Sequence, residues 1–110
     1  SIFYSSKTSK RVMNKMTEKM KEWMKEITMF EKYVSLKEKN PDTIYLFRIG
    51  DFYESCEDDA KNISVLLGTT LTRCDIGLRM TSFHYCCLYQ YLPKIIRAGY
   101  RVNICDAIDI

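Results

Sequence analysis

Residues 43–55 read TIYLFRIGDFYES, and this stretch decides the fold. Its first seven residues, Thr43–Ile49, are apolar, aromatic or β-branched at nearly every position, which favours a strand buried on both faces inside a sheet. Gly50 and Asp51 then interrupt the apolar run, as glycine and aspartate commonly do at a turn. Two consecutive aromatic residues and a glutamate follow directly. The sequence therefore predicts a buried strand that leads into a short segment of unusual chemistry.

The segment after the turn alternates in character. In an extended chain neighbouring side chains point to opposite sides, so Phe52 and Glu54 share one side and Tyr53 faces the other. Composition alone favours a buried Phe52 and a solvated Glu54, because most aromatic side chains lie in the core. An exposed Phe52 beside a carboxylate would instead suit stacking on a nucleobase and hydrogen bonding to its edge. Both interpretations are open at this point.

The rest of the chain predicts helices and short strands around this segment. The predicted helices cover residues 9–27, 28–40, 58–67 and 85–98, and the further strands cover residues 69–73, 80–83 and 100–105. The break at Thr28 follows from a capping-box pattern with Glu31. Pro93 predicts a kink or a late start in the last helix. The order indicates a mixed α/β class, with a small mixed sheet flanked by helices and preceded by a basic amphipathic helix.

Length and composition exclude several classes of protein. The 110 residues, 46% of them hydrophobic, favour one domain with a small core, and no apolar run is long enough for a membrane span. The five cysteines are odd in number and form no CxxC pair, and the chain has one histidine that could join them as a metal ligand. These features disfavour a disulfide framework and a structural zinc site, so we expect a reduced, cytoplasmic protein. The start lacks a signal-peptide core and a methionine, so we expect a processed chain or part of a longer one.

Positive charge is concentrated near the beginning of the chain. Residues 1–40 contain ten Lys or Arg and five Asp or Glu, whereas residues 41–110 contain seven and nine. The simplest interpretation is a solvated basic face above a methionine- and tryptophan-rich core stripe. Two alternatives are phosphate contacts from Lys15 and Lys19, and binding of a partner helix through the adaptable methionine face.

Two groups of side chains have residue types that catalysis uses, and each has a simpler structural interpretation. A metal-dependent nuclease would need grouped carboxylates, and the candidates are Asp51, Glu54, Glu57, Asp58 and Asp59. Carboxylates at the start of a helix are, however, more often there because they interact favourably with the helix dipole. A nucleophilic site would need His84 beside Cys86 and Cys87, for which buried thiols are the better interpretation.

The run YLFRIGDFYES (45–55), followed by DDAKNISVLLGTTLTR (58–73), resembles the N-terminal mismatch-recognition domain of the MutS family of DNA mismatch repair proteins. The resemblance covers residues 28–110, with GDFYE its most specific part, and leaves residues 1–27 as a basic N-terminal extension. It implies that the family's Phe-x-Glu motif falls on Phe52 and Glu54. In the family the phenylalanine wedges into the duplex from the minor groove and stacks on a mispaired or unpaired base, to which the glutamate hydrogen-bonds.

The resemblance also implies roles for the neighbours of this pair. Gly50 and Asp51 would form the turn that exposes it, and Tyr53 would anchor it in the core. Independently of the resemblance, the positive charges of Arg48, Arg73, Arg79, Lys15 and Lys19 make them candidates for phosphate contacts. The implied partner is double-stranded DNA with mispaired or unpaired bases, in a nucleoid-associated protein, and other repair proteins are further candidate partners.

The sequence departs from the family pattern in places. Ser55, Cys56 and Glu57 follow the motif where apolar or aromatic residues are usual, and the loop at residues 74–79 is shorter than usual. No GxxxxGK[ST] phosphate-binding loop occurs, so we expect a DNA-binding module that is not an enzyme and holds no cofactor, with ATP and Mg²⁺ relevant only to domains elsewhere. The alternative is a MutS-like fold reused as a protein-interaction or regulatory module without mismatch discrimination.

Overall fold

A computed structural model describes residues 14–105 of the chain. The elements in chain order are α1 (Glu18–Lys39), β1 (Thr43–Ile49), β2 (Phe52–Cys56), α2 (Glu57–Leu67), β3 (Thr72–Arg73), β4 (Arg79–His84), a 3₁₀ turn (Tyr85–Cys87), α3 (Leu88–Arg97) and β5 (Arg101–Cys105). The strands form one sheet in the order β3-β4-β2-β1-β5. Among these described strands, only the β1–β5 pair is parallel. This confirms the predicted mixed α/β class.

Strand β1 lies in the interior of the sheet, between β2 and β5. Tyr45 and Phe47 point to one face, Ile44 and Leu46 point to the other, and none of the four is more than 1% exposed. A strand that is buried on both faces needs apolar residues at every position rather than at alternate ones. The prediction of an interior strand is therefore confirmed.

Helices cover both faces of the sheet. On the first face, Met29 and Tyr33 of α1 pack against Tyr45 and Phe47. On the second face, Ile63 of α2 and Ile95 of α3 are fully buried against Ile44 and Leu46. The core therefore has two halves separated by the sheet. No helix among residues 14–105 has the length and apolar character that crossing a membrane requires.

Helix α1 is continuous where the sequence predicted two helices. Thr17 caps it, because its Oγ1 accepts a hydrogen bond of 3.1 Å from the backbone nitrogen of Met20. The predicted break at Thr28 is wrong: buried Met24 and Met29 lie on either side of it, so packing on the sheet favours an uninterrupted helix. The part of the predicted first helix before residue 14 lies outside the described residues.

The strands also differ from their predicted bounds. The segment after the turn, expected only to be extended, forms β2 and pairs with both β1 and β4. The strand predicted over residues 69–73 is reduced to Thr72–Arg73. The hydroxyl of Thr81 hydrogen-bonds Oγ1 of Thr69 at 2.7 Å and the carbonyl of Thr70 at 2.9 Å, so side-chain bonds replace the expected backbone ladder there.

The last helix starts at Leu88 rather than at Tyr85, and the late start predicted at Pro93 is wrong. The chain first makes the 3₁₀ turn, in which Nδ1 of His84 accepts from the backbone nitrogen of Cys86 at 3.3 Å, and α3 begins only at Leu88. Pro93 itself lies inside the helix. The delay matters because it places Tyr85 beside the β1–β2 turn.

A buried carboxylate joins three elements. Asp59 of α2, with a side chain 1% exposed, accepts hydrogen bonds from Nζ of Lys37 at 2.8 Å and from the backbone nitrogen of Tyr45 at 2.9 Å. Nζ of Lys37 also donates to the carbonyl of Thr43 at 2.8 Å. The sequence predicted Asp59 as a helix N-terminal charge or, as the alternative, as one carboxylate of a metal-dependent nuclease. The structure shows that it fixes the end of α1 and the start of α2 against the beginning of β1.

We expect Asp59→Ala to lower the free energy of unfolding by about 3 kcal/mol, because it leaves Lys37 without its counter-charge and the Tyr45 amide without its acceptor. Urea denaturation followed by far-UV circular dichroism would measure this change. Asp58→Ala is the matched control, because Asp58 is adjacent in sequence but its side chain is 79% exposed and pairs only with Arg79 near the surface. Equal losses in the two variants would contradict the role assigned to Asp59.

Candidate functional site

A two-residue turn joins β1 to β2 and forms the tip of a hairpin. Ile49 pairs with Phe52 across it. Gly50 has φ +58°, a left-handed conformation that glycine adopts without steric cost and that two-residue hairpin turns require. The carbonyl of Asp51 accepts a hydrogen bond of 2.8 Å from the backbone nitrogen of Tyr85. The tip is therefore held against the segment that follows β4.

The ring of Phe52 is exposed at this tip. Its side chain is 46% exposed, in contrast to the buried aromatic residues of the core. It contacts the ring of His84 edge-on, with centroids 5.7 Å apart and an interplanar angle of 80°. The interpretation of Phe52 as a core residue is therefore wrong, and an apolar ring surface faces outward from a hydrogen-bonded hairpin.

The residues after Phe52 alternate as the sequence predicted. Tyr53 lies on the opposite face of the sheet, 9% exposed, where its ring contacts Phe83 at 5.8 Å. Glu54 returns to the side of Phe52 and is half-buried. Buried Tyr53 therefore anchors a strand whose two neighbouring side chains, Phe52 and Glu54, both face the same groove.

This groove has a volume of about 660 Å³ and is bounded by the first half of α1 and by β4. Glu22 and Glu26 of α1 line it together with Phe52 and Glu54. Burial raises the pKa of Glu54 above its ordinary value, the negative charges of Glu22 and Glu26 raise it further, and Lys25 opposes them. The groove therefore favours the neutral form of the Glu54 carboxyl more than water does.

Sequence reasoning gave Glu22 and Glu26 no role at this site. Their spacing of four residues places them on one face of a helix, but nothing local shows that this face meets β2. Glu26 also reaches the β3–β4 connection, where it hydrogen-bonds the Cys74 side chain and the backbone of Ile76. Burial and then the charge of Asp75 raise its pKa there. The sequence did not show that α1 is continuous, and this continuity brings both carboxylates to the groove.

The three arginines predicted to contact phosphate all have partners within the protein. Nε of Arg48 donates to the carbonyl of Gly50 at 2.7 Å, and Nη1 of Arg73 donates to the carbonyl of Gly77 at 2.7 Å. Nη2 of Arg79 lies 2.8 Å from Asp58 Oδ1 and 3.4 Å from a carboxylate oxygen of Glu57.

Only Arg48 lies close to the tip of the hairpin. Arg79 begins β4, whereas Phe52 pairs with His84 at its other end, and Arg73 pairs with Arg79 in β3. The structure therefore places one of the three predicted arginines beside the motif and two at a distance from it.

The two predicted lysines lie at the N-terminal end of the described chain. Lys15 precedes α1 and is exposed. Nζ of Lys19 lies 5.8 Å from the centre of the Trp23 ring. Nε1 of Trp23 donates to Asp75 Oδ2 at 3.2 Å, which fastens the first turns of α1 to the β3–β4 connection.

The residues considered for catalysis do not converge. Glu57 and Asp58 pair with Arg79, Asp59 is buried with Lys37, and Glu54 lines the groove. Within residues 14–105 no three His, Cys, Asp or Glu side chains are placed to share a metal ion. Nδ1 of His84 lies 3.0 Å from Sγ of Cys86. The His84 ring also contacts two aromatic rings, with centroids 4.6 Å from that of Tyr85 and 5.7 Å from that of Phe52, and the sequence did not indicate these contacts.

We expect Glu54→Gln to change how stability depends on pH. Because the folded state raises the pKa of Glu54 above 4.5, it binds the proton more tightly than the unfolded chain does, so wild-type stability falls as pH rises through and above that value. The glutamine variant lacks this loss, so its stability relative to wild type should increase from pH 4 to pH 8. Chemical denaturation at several pH values would measure the difference.

Glu38→Gln is the matched control, because Glu38 is an exposed glutamate on the same domain. Its stability should follow the wild-type pH profile. A Glu54→Gln profile that also runs parallel to wild type would contradict the burial of an ionisable Glu54.

The amino-acid sequence of the chain can be compared with those of known proteins. The family model for MutS domain I matches residues 27–109. The DNA mismatch repair protein MutS of Salinibacter ruber is 46% identical over 85 residues, which cover 74% of this chain and 9% of the relative. The proteins of the same name from Porphyromonas gingivalis and Bacteroides thetaiotaomicron are 44% and 46% identical over 76% and 74% of this chain, and 10% of each relative. The chain thus spans about a tenth of the length of these relatives.

Proposed function

The chain belongs to the MutS domain I family, and on this basis we propose that it is a mismatch-repair DNA-binding module that prefers duplexes with a mispaired or unpaired base. One observation carries the proposal. The Phe52 ring is exposed at the tip of a hairpin whose next residue, Tyr53, is anchored in the core. An apolar wedge must be exposed before it binds and must not retract into the protein when it meets the bases.

Phe52 would enter the minor groove and stack on the mispaired base. Wedges of this kind unstack a base step and kink the duplex, which costs a few kcal/mol. The cost is least where pairing is already defective, and this difference is a source of selectivity that needs no reading of the sequence. Phe52 would therefore distinguish a mispaired duplex from a matched one by how easily the DNA unstacks and bends at that step.

Glu54 would hydrogen-bond to the same base. Its carboxyl faces the groove beside Phe52, and burial raises its pKa. The neutral form donates a hydrogen bond to a base acceptor, whereas the ionised form accepts one from a base donor. Because burial makes the neutral form more accessible than it is in water, Glu54 suits bases that present a donor or an acceptor, which a module for different mispairs requires.

Exposed basic residues would supply affinity that does not depend on sequence. Lys15, Lys19 and Arg73 are the candidates for phosphate contacts, and their contribution should weaken as salt increases. The proposed role is binding rather than catalysis, because stacking and hydrogen bonding at Phe52 and Glu54 involve no bond cleavage.

We expect Phe52→Ala to abolish the preference for a mispaired duplex, because stacking on a base is worth about 1–3 kcal/mol, or roughly 5- to 150-fold in Kd. Fluorescence anisotropy at low salt would compare a matched duplex with the same duplex carrying one G·T mispair or one unpaired T. Tyr89→Ala is the control, because Tyr89 is an aromatic residue 93% exposed on α3 and outside the groove.

In this experiment Tyr89→Ala should retain the wild-type preference. If wild type binds all three duplexes equally and Phe52→Ala changes nothing, the proposal is refuted. The chain would then have the family's fold without its mismatch reader, as an interaction or regulatory module would.

A further inference from the structure

The turn that presents Phe52 is held by an arginine side chain. Arg48 lies next to the last residue of β1, and its Nε donates to the carbonyl of Gly50, two residues later, at 2.7 Å. Its guanidinium carbon lies 4.4 Å from the centre of the Tyr85 ring and 5.5 Å from that of Tyr53. The guanidinium therefore hydrogen-bonds the turn while it lies over the face of an aromatic ring.

Tyr85 holds the same turn through its backbone. Its amide nitrogen donates to the carbonyl of Asp51 at 2.8 Å. The two residues of the turn, Gly50 and Asp51, thus each have their carbonyl bonded, one by Arg48 and one by Tyr85. Because the guanidinium of Arg48 also lies over the Tyr85 ring, the two restraints support each other and connect the turn to the 3₁₀ segment after β4.

Arg48 does not share the face of Phe52. Along β1 it shares a face with Ile44 and Leu46, because residues two apart in a strand point the same way. This is the face of the sheet that α2 and α3 cover, and it also holds Tyr53. Phe52 lies on the other face and immediately follows the turn. Arg48 therefore does not touch Phe52 and acts on it through the backbone of Gly50 and Asp51. A second connection runs from the Tyr85 ring to His84, at 4.6 Å between centroids, and from His84 to Phe52.

We propose that Arg48 is a positioning residue that fixes the direction of the Phe52 side chain through the Gly50–Asp51 turn, with the Tyr85 ring as its platform. The proposal rests on the proposed function of Phe52 and replaces the phosphate contact that the sequence predicted for Arg48. A wedge gains from being fixed before it binds, because ordering it during binding would subtract from the affinity.

The geometry requires arginine rather than any cation. A planar guanidinium can donate from Nε in its own plane while its face stacks on an aromatic ring. A lysine ammonium has the same charge, but it is a compact group without a planar face, so it cannot satisfy the carbonyl and stack on the ring in this way. Arg48→Lys therefore separates positioning from charge.

The test measures Kd for the matched and the G·T duplexes at several salt concentrations, with wild type, Arg48→Lys and Tyr85→Leu. Both variants should lose mispair preference by about fivefold or more, while matched-duplex affinity and its salt dependence stay at wild-type values. Tyr85→Leu keeps the backbone donor to Asp51 and removes the platform together with the Tyr85 ring contact to His84, so it serves as the second variant if Arg48→Lys does not fold.

Arg97→Lys is the matched control, because Nε of Arg97 also donates to a backbone carbonyl, that of Pro93 at 3.2 Å. This hydrogen bond lies on the exposed side of α3. It should keep the wild-type preference. Arg48→Gln distinguishes the competing role: a phosphate contact predicts equal weakening for both duplexes and a salt slope smaller by about one, with Arg48→Lys near wild type.

Equal weakening of both duplexes by Arg48→Gln, with Arg48→Lys near wild type, would overturn the proposal. So would a full mispair preference in both Arg48→Lys and Tyr85→Leu. If the preference is present in wild type and lost in Phe52→Ala but kept in both of these variants, the inference about Arg48 fails and the proposed function stands. If wild type shows no preference, the proposed function fails, and the inference fails with it.

Discussion

The buried contact between Asp59 and Lys37 is the constraint on which the rest of the structure depends. It joins the end of α1, the start of α2 and the backbone of Tyr45 at one end of β1. A carboxylate with this little exposure is stable only if its hydrogen bonds are satisfied, so the three elements have one arrangement in which they fit. The position of β1 follows, and with it the position of the hairpin tip at the other end of the strand.

The tip combines features that a packed core would avoid. Phe52 exposes an apolar ring, and Glu54 keeps an ionisable carboxyl half-buried beside two further carboxylates. The exposed ring and the half-buried carboxyl each lower stability only at the tip. Tyr53 lies between Phe52 and Glu54 in sequence, and its buried side chain supports the strand from the opposite face. Features of this kind commonly mark sites of function, because stability alone would favour a buried ring and a solvated carboxyl.

The surroundings of Glu54 come partly from outside the family match. The match to MutS domain I begins at residue 27, whereas Glu22 and Glu26 lie in the earlier turns of α1. Buried Met24 and the hydrogen bond from Trp23 to Asp75 hold these turns on the domain. The electrostatic environment of the groove thus combines Glu54, which lies inside the family match, with Glu22 and Glu26, which lie before it.

The sequence by itself determined β1, the turn at Gly50 and the alternation that separates Tyr53 from Phe52 and Glu54. These features are local, because they depend on the two-residue period of a strand and on the conformational freedom of glycine. Only the tertiary structure decided that Phe52 is exposed, that α1 is continuous through Thr28, and that Arg48 bonds the turn over the Tyr85 ring. Each of these depends on packing between distant segments, and such packing outweighs local signals such as a capping box.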